Sequence, residues 1–263
     1  MAEAGNRNWT YSEYLNLREL LELQGEDRGI SSDEMHFIIV HQTFELWFKQ
    51  IIRELTDVRD IFIQVPVPED QIPMAVDHLG RTTEIFRLMA SQWTVLETLT
   101  PQGFLAFRDS LGTASGFESY QMREFEILLG LDNSERFGGI DPLDSFRRMV
   151  DGGEAKKEIL EHLESVMALP SLVESLMNWI ERTPIMGSLY GSENDEEVVS
   201  DYINSHLEAH KEMCDLASKS SEVMATRMNE AHEGADSFLK PQGKINRSRA
   251  VSYTHLRAHE TDY

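Results

Sequence analysis

The sequence of 263 residues is poor in cysteine and in positive charge. Its single cysteine, Cys214, cannot close an internal disulfide, which excludes a secreted domain held together by disulfides. Lys and Arg number 24 against 46 Asp and Glu, so the net charge is −22. This balance argues against binding to nucleic acid and against docking on anionic lipid, because both need a basic surface.

Long apolar runs are absent as well. The longest strongly apolar run, residues 37–40, is far too short to span a bilayer, and the N-terminus has no signal-peptide pattern. We therefore expect a cytoplasmic protein that does not associate with membranes. With 41% hydrophobic residues and 8 prolines, the composition is that of a globular chain that can bury a sizeable core.

Apolar residues recur every three to four positions along most of the chain, which is the spacing of an amphipathic helix. Ser31 and Glu34 have capping-box spacing and predict the start of a long helix that ends before Pro66. Further helices are predicted at about 74–99, 118–129, 154–168, 171–182 and 196–233, with a short helix that begins at Pro101 and a surface segment at 184–197. Neither an alternating strand pattern nor an internal repeat is found. The predicted fold is all-α.

The last residues differ from the rest of the chain. Residues 251–263 have neither a clear apolar stripe nor a helix stop signal. We predict that residues 1–250 form one helical domain and that 251–263 are an appended, non-native tail.

His41 is the first candidate for chemistry. It shares a helical stripe with Phe37, Phe44 and Phe48. It could be a core histidine bonded to a carbonyl or to water, or a pocket histidine that faces an aromatic ligand. The spacing alone favours the core histidine, because histidine is of intermediate burial in proteins.

Arg108 is the second candidate. It lies between Phe104 and Leu111, just before the small-residue break at 112–116. A guanidinium on an apolar face must pair with an anion. The anion could be a structural carboxylate, or a substrate carboxylate bound by two parallel hydrogen bonds from the guanidinium. Ser115 and Gly116 could bring backbone close to a flat cofactor, although a plain turn is the simpler interpretation.

His206, His210 and Cys214 are spaced to lie on one face of a helix and offer nitrogen and sulfur donors. A metal site there is disfavoured, because three ligands from one straight helix rarely complete a tetrahedron. Isolated acids such as Glu45 and Glu97 are interpreted as parts of solvated helix faces.

Four segments together identify a family. They are residues 11–15 (YSEYL), 33–49 (DEMHFIIVHQTFELWFK), 92–100 (QWTVLETLT) and 104–119 (FLAFRDSLGTASGFES). The chain resembles the tryptophan 2,3-dioxygenases, haem enzymes that open the indole ring of L-tryptophan with dioxygen to give N-formylkynurenine. The resemblance is strong over about residues 11–131 and looser as far as 250.

The resemblance implies a role for each of several residues. His41 is the catalytic histidine near the indole N–H, and Phe37 lines the same pocket. Arg108 grips the substrate carboxylate, with Phe104 beside it where some members carry tyrosine. Leu111 matches a substrate position, and Trp93, Ser115 and Gly116 match positions around haem b. Tyr11, Tyr14 and Leu15 match a segment that reaches into the substrate site of a neighbouring subunit, which implies a homotetramer.

Two motifs of the family are not found in the 263 residues. One is a Trp-Arg-x-x-His pattern that carries the proximal haem histidine, so no metal ligand is assigned here. The other is a Gly-Thr-Gly-Gly-Ser-Ser-Gly loop that meets the substrate. We expect this chain to be the N-terminal portion of a dioxygenase and to be inactive by itself. The alternative is an acidic, all-helical binding or scaffold protein that uses the same stripes only as core.

Overall fold

The computed structural model describes residues 8–112, 116–131, 141–153, 157–219, 222–247 and 249–251. The helices within these ranges are α1 (Tyr11–Tyr14), α2 (Leu17–Leu20), α3 (Ser32–Phe62), α4 (Ile72–Leu96), α5 (Pro101–Phe107), α6 (Tyr120–Leu129), α7 (Asp144–Asp151), α8 (Lys157–Met167), α9 (Leu172–Arg182), α10 (Asp195–Ser218) and α11 (Glu222–Leu239). No strand occurs among the described residues, which confirms the all-α prediction. None of these helices combines the length and apolar character needed to cross a bilayer.

The chain divides into two compact units. The first comprises Met1–Ile61 and Pro68–Leu172, and the second comprises Phe62–Val67 and Val173–Tyr263. The prediction of a single domain over residues 1–250 is not tested by this division, because each unit is described by itself.

The longest helix begins where the sequence predicts. The backbone N–H of Glu34 donates to the Ser31 hydroxyl at 3.1 Å, so Ser31 caps α3. The buried residues Ile51, Leu55 and Val58 recur at intervals of three and four along the helix. Helix α3 therefore keeps one apolar face buried over its second half, while its first half carries the predicted site residues.

A buried carboxylate links α3 to α4. Glu54 is 2% exposed, and its carboxylate lies 2.5 Å from Nη1 of Arg81 and 2.5 Å from Nδ1 of His78, with Gln50 as a further hydrogen-bond donor. Burial alone would raise the pKa of Glu54. The hydrogen bonds from Arg81 and Gln50 and the positive charges of Arg81 and His78 outweigh burial and lower it.

Local capping signals fix the helices next to the site. Thr100 accepts the N–H of Gly103 at 3.0 Å, with Pro101 at the first helical position of α5 as predicted. Ser119 caps α6 in the same way through Met122. Helix α6 ends at Gly130, whose φ of +88° is the left-handed conformation that glycine adopts most easily.

The sequence pattern predicts a loop before the helix at about 154–168, whereas the structure has helix α7 there. Asp141 accepts the N–H of Leu143 at 2.7 Å, which forms a turn directly before the first residue of α7. Leu143 and Phe146 are then buried against Leu163 of α8. An eight-residue helix has only about two turns, which is too short for its three apolar residues to distinguish a helix from a loop by periodicity alone.

The second unit corrects another prediction. The single helix expected at about 196–233 is two helices, α10 and α11, which pack against each other. Their shared core includes Ile203 and Leu207 of α10 and Leu239 of α11. Ala250 and Val251, on either side of the predicted tail boundary, are buried in the same core, and 252–263 lie outside the described residues.

Candidate functional site

A cavity of about 940 Å³ lies within the first unit. One side is the N-terminal half of α3, a second is formed by residues 20–26, and the remainder comes from residues between 111 and 121. Its size is near the upper end of the ~300–1,000 Å³ typical of ligand sites. Phe37, Ile38, Leu46 and Leu111 give it largely apolar walls.

His41 lines this cavity, and its hydrogen bonding fixes the role of each ring nitrogen. Nδ1 lies 2.8 Å from the backbone oxygen of Phe37. Because a carbonyl can only accept, Nδ1 carries the proton, and in the neutral ring Nε2 is left as an acceptor. His41 thus makes the carbonyl bond expected of a core histidine and still belongs to the pocket.

Aromatic rings support this part of the wall. The ring centroids of Phe37 and His41 are 4.0 Å apart, and those of Phe37 and Phe104 are 5.9 Å apart. Phe107, which the sequence analysis did not single out, is buried and lies 5.5 Å from both Phe37 and Phe104. Phe104 and Phe107 therefore pack against the Phe37 ring and each other in the tilted and edge-on arrangements that aromatic rings prefer.

The structure places Arg108 differently from the expectation. Its side chain is exposed, is not among the residues that line the cavity, and donates to the carbonyl of Gly112 at 3.3 Å. The premise of a buried guanidinium in need of an anion was therefore wrong. Leu111 and Gly116 do line the cavity, and Ser115 lies outside the described residues.

Trp93 is also outside the cavity. It is 55% exposed and packs against Phe44, with ring centroids 5.3 Å apart. Its predicted role beside the cofactor stays a prediction, because the aromatic ring that it contacts belongs to Phe44 of α3.

Tyr11, Tyr14 and Leu15 are exposed and do not line the cavity of their own chain. Helix α1, which carries both tyrosines, is fixed by a capping box between Thr10 and Glu13. The contribution of these three residues to a neighbouring subunit's site stays a prediction.

The polar side of the cavity was missed by the sequence analysis. Glu45, interpreted there as solvated, lines the cavity and accepts a hydrogen bond from Nε2 of Gln121 at 2.8 Å. Lys49 lines it one turn further along α3. The signal was present, because Phe37, His41, Glu45 and Lys49 follow each other at intervals of four and therefore share a helix face.

His206, His210 and Cys214 all lie on α10. Among the described residues, no group of three or more His, Cys, Asp or Glu is arranged to hold a metal ion. Nδ1 of His210 lies 3.2 Å from Nδ1 of His232 and 3.6 Å from the sulfur of Cys214. Burial, with a smaller contribution from Asp215, raises the pKa of the Cys214 thiol, which makes it less reactive.

Comparison with known proteins identifies the family to which the chain is similar. A family model described as tryptophan 2,3-dioxygenase matches residues 2–257. The tryptophan 2,3-dioxygenase of Sorangium cellulosum (strain So ce56) is 41% identical over 189 residues, covering 69% of this chain and 45% of the relative. That of Alteromonas mediterranea is 42% identical over 180 residues, covering 67% and 48%.

Tryptophan 2,3-dioxygenase 2 of Ralstonia nicotianae is 36% identical over 257 residues, covering 88% of this chain and 65% of the relative. The chain thus spans about half to two thirds of the length of these curated relatives. The match over nearly the whole chain agrees with the resemblance carried by residues 33–49 and 104–119. The chain belongs to the tryptophan 2,3-dioxygenase family.

Proposed function

We propose that the longer protein of which this chain is the N-terminal portion catalyses the oxidative opening of the indole ring of L-tryptophan in the cytoplasm, and that residues 1–263 alone do not. Both atoms of dioxygen enter the product as the C2–C3 bond breaks, which gives N-formylkynurenine without an external reductant. The observation that carries the proposal is His41, a cavity-lining histidine whose Nε2 is left as an acceptor by the bond from Nδ1 to Phe37. Membership in the family supports the same reaction.

Indole is a flat apolar ring with one hydrogen-bond donor. It needs aromatic or aliphatic walls and a single acceptor, and these are the groups that Phe37, Leu111 and His41 bring to the cavity. In the proposal, Phe37 packs against the indole, and Nε2 of His41 accepts the indole N–H. This contact fixes the face and the direction in which the ring lies.

The cavity lining fits the flat apolar faces of a haem b cofactor, and no axial ligand is assigned among the described residues. The cavity is large and mostly apolar, and Gly116 on its lining has open space beside its α-carbon, so a flat macrocycle can approach the backbone there. When bound, haem supplies the binding and activation of dioxygen. The protein supplies the orientation of the substrate and the exclusion of water.

The substrate carboxylate needs a fixed cation. Arg108 is the proposed partner by family resemblance, because its planar fork can bind a carboxylate through two hydrogen bonds. In the described structure its bond to Gly112 is long, at 3.3 Å, and its side chain is exposed. Replacing that contact with a hydrogen bond to a substrate carboxylate therefore loses little free energy.

Tyr11, Tyr14 and Leu15 have a place in the proposal as parts of a homotetramer. Three large side chains exposed within one short stretch are unusual for a surface that meets only water. We propose that they cover the substrate site of a neighbouring copy, so that assembly completes the pocket.

The test uses the longer protein, which is expected to carry the proximal haem histidine. This protein is loaded with haem, reduced, and supplied with air and L-tryptophan. Formation of N-formylkynurenine, followed by its absorbance and by mass spectrometry, is the expected result. Haem uptake without any consumption of L-tryptophan would overturn the proposal and favour the binding or scaffold alternative.

A further inference from the structure

One wall of the cavity has little apolar support. Residues 20–24 begin at the last residue of the four-residue helix α2. Leu20, Leu21 and Leu23 of this stretch line the cavity. Leu21 and Leu23 are 63% and 64% exposed, so burial contributes little to holding them in place. A single helical turn is also not stable by itself. Other interactions must therefore fix this wall.

Two glutamine side chains provide them. Gln24 is buried, and its Nε2 donates to the carbonyl of Leu20 at 2.9 Å and to Oε1 of Gln42 at 3.0 Å. In return, Nε2 of Gln42 donates to the carbonyl of Leu23 at 2.9 Å. We call this pair the Gln24–Gln42 clasp. It joins residues 20–24 to α3 at the position directly after His41.

We propose that Gln42 is a positioning residue which, through Gln24, holds residues 20–24 as a wall of the His41 cavity. This inference deepens the proposed function and rests on it. A wall of this kind contacts the substrate equally before and during the reaction. Its loss should therefore raise KM and leave kcat nearly unchanged.

The variant Gln42→Leu removes two of the three clasp hydrogen bonds, those to Gln24 and to the carbonyl of Leu23, at similar side-chain size. The variant Gln24→Leu removes the Gln24–Gln42 hydrogen bond without changing any residue of α3. A shared effect of the two variants therefore cannot come from a folding defect of α3. Gln102→Leu is the matched control, because Gln102 is an exposed glutamine on α5 outside the cavity lining. The effect of the double variant of Gln24 and Gln42 should be smaller than the sum of the two single effects, since both single variants remove the same Gln24–Gln42 hydrogen bond.

The first measurement is amide hydrogen exchange of residues 17–25 on the millisecond-to-second scale in the haem-free chain. We expect exchange roughly tenfold faster in both clasp variants, as for the loss of about one buried hydrogen bond. Gln102→Leu should match the wild type. Unchanged exchange in both clasp variants would overturn the proposal, whether or not the protein has any activity.

The second measurement is the steady-state kinetics of the longer protein, loaded with haem, with L-tryptophan. We expect KM to rise roughly tenfold and kcat to stay within about twofold of the wild type. Faster exchange with unchanged KM, or a fall confined to kcat, would overturn the role of the wall in substrate binding. A wild type without turnover would overturn the proposed function instead, and the exchange data would still decide whether the clasp holds the wall.

Discussion

The imidazole of His41 donates through Nδ1 to the carbonyl oxygen of Phe37, the same residue against whose ring it packs. One helical turn therefore sets both the tautomer and the tilt of the histidine. No distant residue is needed for this, because the i to i+4 relation of an α-helix brings the carbonyl and the ring together. The cavity thus receives an acceptor nitrogen of fixed direction beside an aromatic wall.

His41→Ala should lower kcat/KM for L-tryptophan by roughly three- to tenfold or more, because the indole N–H loses its acceptor. 1-Methyl-L-tryptophan has no indole N–H and should lose less. His36→Ala is the control, since His36 lies on the same helix, bonds to the carbonyl of Val95 and does not line the cavity. Equal losses of kcat/KM for the two substrates would show that His41 does not accept a hydrogen bond from the indole N–H.

In the longer protein, Arg108→Lys should raise the transition-state free energy for L-tryptophan by about 1.5–3 kcal/mol, because an ammonium cannot form the paired hydrogen bonds of a guanidinium with a carboxylate. Tryptamine lacks the carboxylate and should be nearly indifferent. Steady-state kinetics with both substrates are the measurement. If tryptamine suffers as much as tryptophan, Arg108 supports the fold of the 108–112 turn and does not bind substrate.

The sequence predicts those parts of the fold that depend on neighbours along the chain. Ser31 and Thr100 cap their helices as their local patterns indicate. The division between α10 and α11 was missed, because apolar spacing continues on both sides of residues 218–222 and no proline marks a stop. What separates the two helices is the burial gained when they pack on each other, which no local pattern encodes.

The same distinction applies to the site. Phe37 and His41 meet through a local helical relation and were paired from the sequence. Gln121 meets Glu45 across 76 positions, and Gln24 meets Gln42 across 18. These polar contacts depend on the tertiary fold, so the sequence analysis interpreted Glu45 as solvated and overlooked the two glutamines of the clasp.

Arg81→Met should lower the free energy of unfolding by about 1–3 kcal/mol, because it leaves the buried Glu54 carboxylate short of its strongest partner. Arg87→Met on the same helix is the matched control. Arg87 pairs with Glu84 where both side chains are 69% exposed, and exposed pairs contribute little. Urea unfolding followed by circular dichroism compares the two. A similar change in both variants would contradict a special role for the buried pair.

Glu54 should also make stability depend on pH. Its pKa in the folded protein lies below the ordinary value of 4.5, so the unfolded chain takes up a proton at this site first as the pH falls. The stabilisation is present above about pH 4.5 and is lost as the pH falls through the folded pKa. Glu54→Gln should flatten the loss of stability as the pH falls below about 4.5, and Glu84→Gln should not. Parallel pH profiles for wild type and Glu54→Gln would exclude Glu54 as the source.

Gly103 is expected to resist substitution because of one neighbour on α3. A β-carbon added at Gly103 would collide with the Asp33 carboxylate and would lie 3.2 Å from the Thr100 hydroxyl that caps α5. Alanine favours a helix over glycine by about 0.5–1 kcal/mol, so without the collision Gly103→Ala would stabilise α5. In the wild-type background we expect the carboxylate to be displaced and this gain to be offset.

A double-mutant cycle isolates that collision. Gly103→Ala should be more favourable by at least about 0.5 kcal/mol in an Asp33→Ala background than in the wild type, since only the Asp33 contact differs between the two. Any loss from removing Asp33 from the first turn of α3 cancels in the cycle. Thermal and urea unfolding of the four proteins give the coupling energy. A coupling of zero would mean that the Thr100 contact, and not Asp33, determines why glycine stands one position before Phe104.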